Sequence, residues 1–159
     1  MKKHAQIDSA SVSMPFTAIG SETFTDNVLG NAFWKRYVIG DVAQMDDGQP
    51  GSLTIEESNT LQHNAAERHI SCDEKHVPLA IKFAAHLLER ERQNHGIYMV
   101  HGNVISLGER AFSLIGGISG IGKTTLSSTA ARHEWEWTSD EKFLMNESGE
   151  YLQGLGHIL

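Results

Sequence analysis

Eight consecutive residues limit what this chain can be more than any others. Gly117-Ile118-Ser119-Gly120-Ile121-Gly122-Lys123-Thr124 satisfies G-x-x-x-x-G-K-[ST] at every fixed position. The glycines let the backbone turn so that its N–H groups converge on phosphate oxygens, in conformations that a Cβ obstructs. Lys123 can set an ammonium against the β- and γ-phosphates, and the Thr124 hydroxyl is a hard oxygen ligand for Mg²⁺. An apolar, strand-like run over 111–115 precedes the loop, and a helix-length segment over 124–132 follows it. The loop is therefore expected to open a helix, whose free N-terminal amides attract anions. That helix is rich in serine and threonine, poor formers, so packing and bound phosphate are expected to hold it. The phosphate cradle is expected over 117–125, with Gly117, Ile118, Ser119, Gly120, Ile121, Gly122, Lys123, Thr124 and Thr125 binding a nucleoside triphosphate, ATP with Mg²⁺.

A phosphate loop alone does not choose a reaction. An acidic partner is needed to hold the metal or activate the attacking group, commonly from the end of a neighbouring strand. Trp135-Glu136-Trp137-Thr138-Ser139-Asp140-Glu141 supplies one, a short strand ending in two carboxylates, with Asp140 17 residues after Lys123. That strand is expected to run beside the one leading into the loop. Upstream, His101-Gly102 falls between the strand-like runs 97–100 and 104–107, with His101 22 residues before Lys123.

These three elements together resemble the HPr kinase/phosphorylase family and, through a shared core, the phosphoenolpyruvate carboxykinases. The loop is similar to the kinases' G-x-S-G-x-G-K, His101-Gly102 to their H-G strand element, and Ser139-Asp140-Glu141 to their acidic pair. The run Gly122-Lys123-Thr124-Thr125-Leu126 is closer to the carboxykinases. The likeness covers about residues 97–145. It implies an α/β P-loop kinase core with a mixed sheet, preceded here by a small β-rich lead segment. It also implies that Asp140 accepts a proton from the acceptor hydroxyl, that Glu141 joins Thr124 in holding Mg²⁺, and that His101 lies near the transferring phosphate, with Lys123 completing the catalytic set. Two departures stand out: the family pair is usually Asp-Asp, and Gln153-Gly154-Leu155-Gly156 echoes the family's Arg-Gly-Leu-Gly without its arginine. Members of the group continue beyond the acidic pair, so the chain is expected to be a fragment or a truncated relative. The implied activity is transfer of the ATP γ-phosphate to a hydroxyl, as in an HPr serine kinase. The acceptor is left between a phosphocarrier-type protein and a small hydroxyl compound, and self-association is also left undecided. A carboxykinase-like or small-molecule kinase, or a non-catalytic nucleotide sensor, remains as an alternative.

Composition narrows the rest. A formal net charge of −7 with no dense Lys/Arg block argues against a nucleic-acid partner. Cys72 is the single cysteine, which excludes an internal disulfide and a Cys-rich zinc site. No apolar run approaches the roughly 20 residues a membrane helix needs, and the N-terminus has no signal-peptide core, so a cytoplasmic protein without membrane contact is expected. Two regions are expected: a β-rich lead over 1–95 and an incomplete nucleotide-binding core over 96–159. In the lead, residues 1–12 are expected to fray, 14–19, 34–42 and 52–57 to form strands, and 46–51 to form a turn. Residues 58–77 show no period. A helix over 79–93 is expected to bury a stripe of Leu79, Phe83, Leu87 and Leu88, with Pro78 in its first turn and Gly96 as its stop. The histidines at 63, 69, 76, 86 and 95 read as a solvated polar set rather than metal ligands. Trp135 and Trp137 alternate, and so are expected to share one face and pack on the core.

Overall fold

The computed structural model describes residues 1–34, 38–40, 52–115, 118 and 120–155. The expected turn over 46–51, most of the expected strand 34–42, and Gly117, Ser119 and Gly156 lie outside the described residues. The fold is mixed α/β with two sheets. The chain divides into two compact units, Met1–Glu91 and Arg92–Leu159.

In the first unit, β1 (Lys2–Ser9), β2 (Val12–Ile19), β3 (Val38–Gly40), β4 (Leu53–Glu57), β5 (Gln62–Asn64) and β6 (His69–Cys72) form a six-stranded sheet in the order β3-β1-β2-β4-β6-β5. The expectation that residues 1–12 fray is wrong. β1 pairs with β2 along its whole length, from Lys2 opposite Ile19 to Ser9 opposite Val12. Its inward positions are Ala5, Ile7 and Ser9, all buried, and the small Ala5 and Ser9 on either side of Ile7 weaken the apolar alternation in sequence. β4 and β6 are parallel to β2 and to each other, and β5 returns antiparallel to β6.

Helix α1 (Glu22–Leu29) begins at Ser21, whose hydroxyl accepts the Phe24 N–H, and it buries Phe24 and Val28. Trp34 does not begin a strand as expected. It sits fully buried after α1, where its indole N–H donates to the Val28 carbonyl at 2.9 Å and its ring lies 5.0 Å from that of Phe16. Helix α2 (Val77–Asn94) starts two residues before its expected first residue. Its buried stripe is Val77, Ala80, Ile81, Ala84, Leu87 and Leu88, whereas Leu79 is exposed. The stripe still follows the helical period, but small alanines rather than Leu79 and Phe83 fill its middle. The histidine-rich stretch is also more ordered than its composition suggests. His63 stacks on Phe83 at 4.8 Å, His69 meets Glu56 at 3.0 Å, and His76 meets Asp73 at 2.5 Å.

The second unit is organised by one strand. β7 (Ile97–Leu107) is 11 residues long and continuous, so the two short runs expected on either side of His101-Gly102 are a single element. β8 (Arg110–Ile115) returns from it through a turn at Gly108, which takes φ +58°. Helix α3 (Lys123–Ala131) follows the loop, and then come β9 (Glu136–Ser139), β10 (Lys142–Asn146) and β11 (Tyr151–Gly154). β10 pairs with the first half of β7, from Ile97 to His101, and β9 with the second half, from Val104 to Ser106. β8 lies along the opposite edge of β7.

Candidate functional site

The register of β7 brings the separated sequence elements together. Val104 pairs with Ser113 of β8 on one side and Ser139 of β9 on the other, so β7 lies between them. This corrects the expectation that the strand ending in Asp140 runs beside the strand entering the loop. Both run antiparallel to β7 and therefore parallel to each other, and their C-terminal ends, Ile115 opposite Gly102 and Ser139 opposite Val104, reach the same level near the middle of β7. The acidic pair lies at that level, where the chain passes from β9 to β10 along the same edge of β7. His101 stands at the same level, opposite Lys142, and is exposed rather than packed into the core.

Asp140 and Glu141 form the bend between β9 and β10. The Lys142 N–H donates to the Asp140 carbonyl at 2.7 Å, closing a tight turn around Glu141 at φ +63°. A non-glycine residue in that region costs about 1–3 kcal/mol and persists only where its surroundings over-determine it. They do so here. Gly102 N–H donates to the Glu141 carbonyl at 2.9 Å, Glu141 N–H reaches the Asp140 carboxylate at 3.1 Å, and the buried Ser139 hydroxyl donates to the Lys142 carbonyl at 2.8 Å. Gly154 packs against this bend from β11. A Cβ there would stand 2.9 Å from Ser139 Oγ, so the glycine of the Gln153-Gly154-Leu155 stretch is required by close approach.

On the other side, Gly120 takes φ +81° and Gly122 takes φ +95°, with nothing within 4 Å of a would-be Cβ at either. Conformation rather than space demands glycine at both. Gly122 is the N-cap of α3, with no side chain capping the first turn, so the amides that open α3 are left to other acceptors. The helix is thinly anchored. Leu126 is exposed, and Ser127 is the buried residue of α3. Ser127 Oγ accepts a 3.0 Å hydrogen bond from Asn103 of β7.

A cavity of about 450 Å³ opens where these elements meet. Its walls hold His101, Lys123, Thr124, Thr125, Asp140 and Glu141, together with Gly120, Ile121 and Gly122 of the loop. Every described candidate residue except Ile118, which is exposed, thus borders one space. One further wall residue, Asn103, escaped the sequence reading. The signal in the sequence is an amide two residues after His101, at the head of the apolar pair Val104-Ile105, and the structure leaves it 1% exposed. The donor set suits Mg²⁺, since a threonine hydroxyl and carboxylates are hard oxygens, and that ion takes one or two carboxylates alongside phosphate oxygens. Among the described residues no three of His, Cys, Asp and Glu gather as a ready-made metal cage. Trp135 and Trp137 do not reach the core as expected. Both are half-buried, Trp135 lying 5.4 Å from Phe112 and Trp137 donating its indole N–H to the Ser139 carbonyl. Trp135 precedes β9, so the two do not share a strand face.

No protein family matches the chain, and no curated protein matches it. No helix among the described residues is long and apolar enough to cross a membrane.

Proposed function

We propose that the chain binds a Mg²⁺–nucleoside triphosphate, ATP, at the opening of α3 and transfers its γ-phosphoryl group to a hydroxyl acceptor, on a P-loop kinase core of the HPr kinase type. One observation carries this reading: Lys123, Thr124, His101, Asp140 and Glu141, spread over 41 positions of sequence, border a single cavity beside the middle of β7. The loop and α3 amides, with the Lys123 ammonium, bind the triphosphate and offset the charge that spreads over the transferring group. Thr124 and Glu141 would hold Mg²⁺ with phosphate oxygens, and the ion supplies charge neutralisation there when bound. Asp140 orients the acceptor hydroxyl and takes its proton. The acceptor oxygen bonds to the γ-phosphorus as the bond from that phosphorus to the β–γ bridging oxygen breaks, and ADP leaves. His101 neighbours the transferring group. A seryl side chain of a phosphocarrier-type protein is the favoured acceptor and a small hydroxyl compound the second.

The test is transfer of γ-labelled phosphate to a seryl protein acceptor. His101→Ala should lower transfer by about 10-fold or more while the melting temperature stays unchanged, because an exposed strand residue contributes little to packing. Loss of folding without a separate effect on transfer would contradict the placement of His101.

A further inference from the structure

Two halves of the cavity come from distant parts of the chain, and one buried side chain touches both. Asn103 is 1% exposed on β7. Its Oδ1 lies 3.4 Å from the Glu141 N–H, at the centre of the acidic turn. Its Nδ2 donates at 3.0 Å to Ser127 Oγ, which is fully buried on α3. The Glu141 amide is a donor only, so it requires the oxygen of Asn103 on its side, which turns the NH₂ towards Ser127. The flipped amide would set its NH₂ against the Glu141 N–H, donor against donor.

The surroundings make this link matter. α3 brings no large buried apolar residue to the sheet, so its position rests on the Ser127 contact more than on hydrophobic packing. The acidic turn holds Glu141 at φ +63°, a conformation that its hydrogen bonds must impose. Through its backbone Asn103 also pairs with Leu114 of β8, the strand that leads into the loop. Apolar isosteres would leave Ser127 without this partner and the Glu141 N–H with the Asp140 carboxylate alone, at 3.1 Å, and aspartate would bury a charge.

We infer that Asn103 is a positioning residue that sets the separation between the phosphate-binding opening of α3 and the Asp140–Glu141 turn. The inference rests on the phosphoryl-transfer reading. Asn103 acts through Ser127 and Glu141, so its loss should misplace the carboxylate against the triphosphate while leaving the amides and Lys123 to bind it. Misplacement of reacting groups by about 1 Å costs on the order of 100-fold in rate.

The experiment compares wild type, Asn103→Ala, Ser127→Ala and the double variant. Three quantities are measured: hydrogen exchange of the Glu141 amide without ligand, Mg·ATP affinity by calorimetry, and the rate of γ-phosphate transfer. Ser127→Ala places a strong helix former in α3, so it folds even where Asn103→Ala does not. Each single variant should speed Glu141 exchange about tenfold, weaken Mg·ATP by less than about threefold, and slow transfer by about 10- to 100-fold. The double variant should be no worse than Asn103→Ala alone. Additive single effects, or transfer within about twofold of wild type in both singles, would overturn the assignment. A wild type that binds no Mg·ATP overturns the transfer reading instead. The exchange rates then decide alone, with non-additive acceleration upholding the link between α3 and the turn and additive acceleration overturning it.

Discussion

Asp140 and Glu141 are adjacent, yet the turn gives them different surroundings. Asp140 is buried, with its carboxylate against the next amide, whereas Glu141 is exposed at the turn's apex. Asp140→Asn keeps the shape and removes the basic site, so it should spare ATP binding and lower transfer by roughly 100-fold or more. Glu141→Gln should chiefly raise the Mg²⁺ concentration needed, because it removes a metal-side charge. Transfer assayed across a Mg²⁺ titration separates the two. Near-normal turnover in Asp140→Asn, with none in Glu141→Gln at saturating Mg²⁺, would reverse the roles. Cys72, in the other unit, offers a residue-scale test unrelated to function. Burial, and then the charges of Asp73 and Glu57, push its thiol up to about 11 from an ordinary value of 9.0. Above about pH 9 the unfolded chain therefore releases this proton first. The thiol's contribution to stability is complete below that pH and is lost as pH rises through about 11. Urea unfolding should show a smaller alkaline loss of stability in Cys72→Ala than in wild type between those values, and equal losses would contradict the burial effect.

At the scale of elements, α3 is the weak one. Its sequence Lys-Thr-Thr-Leu-Ser-Ser-Thr-Ala-Ala is poor in helix formers, Thr129 bonds back to the Thr125 carbonyl, and little of the helix is buried. Its amides should exchange quickly without ligand and slow by about tenfold or more with Mg·ATP, as anion binding engages its opening turn. Hydrogen exchange read by peptide mass spectrometry checks this, and unchanged rates over 123–131 would contradict it. Elements with a strong local signature were legible in the sequence: β8 through its apolar run over 111–115, and α2 through its period. Elements specified by partners were not. β1 alternates, but Ala5 and Ser9 are too small to announce an inward face. β5 and β6 are three and four residues long, and β6 gains its order from β4 alongside while β5 gains its own from β6. Trp34 is apolar and follows a short helix, and only its packing against Phe16 and the Val28 carbonyl shows that it closes α1 rather than starts a strand.

At the scale of the molecule, the sequence marked residues that border one cavity more readily than it revealed topology. The loop, His101 and the acidic pair could be picked out by residue type and spacing. That β7 lies between β8 and β9 could not, because the pairing depends on a bulge between Val104 and Ile105 and on β7 serving two partners along one edge. Asn103 became meaningful only once β7, α3 and the turn were in place. The central proposal is that the cavity beside the middle of β7 receives a triphosphate through the loop and Lys123. Calorimetric titration of Mg·ATP into wild type and Lys123→Ala tests it most directly. Wild type should give saturable binding, and Lys123→Ala should give none over the same concentrations while keeping its fold by circular dichroism. Equal affinity in the two proteins, or no binding by folded wild type, would contradict it.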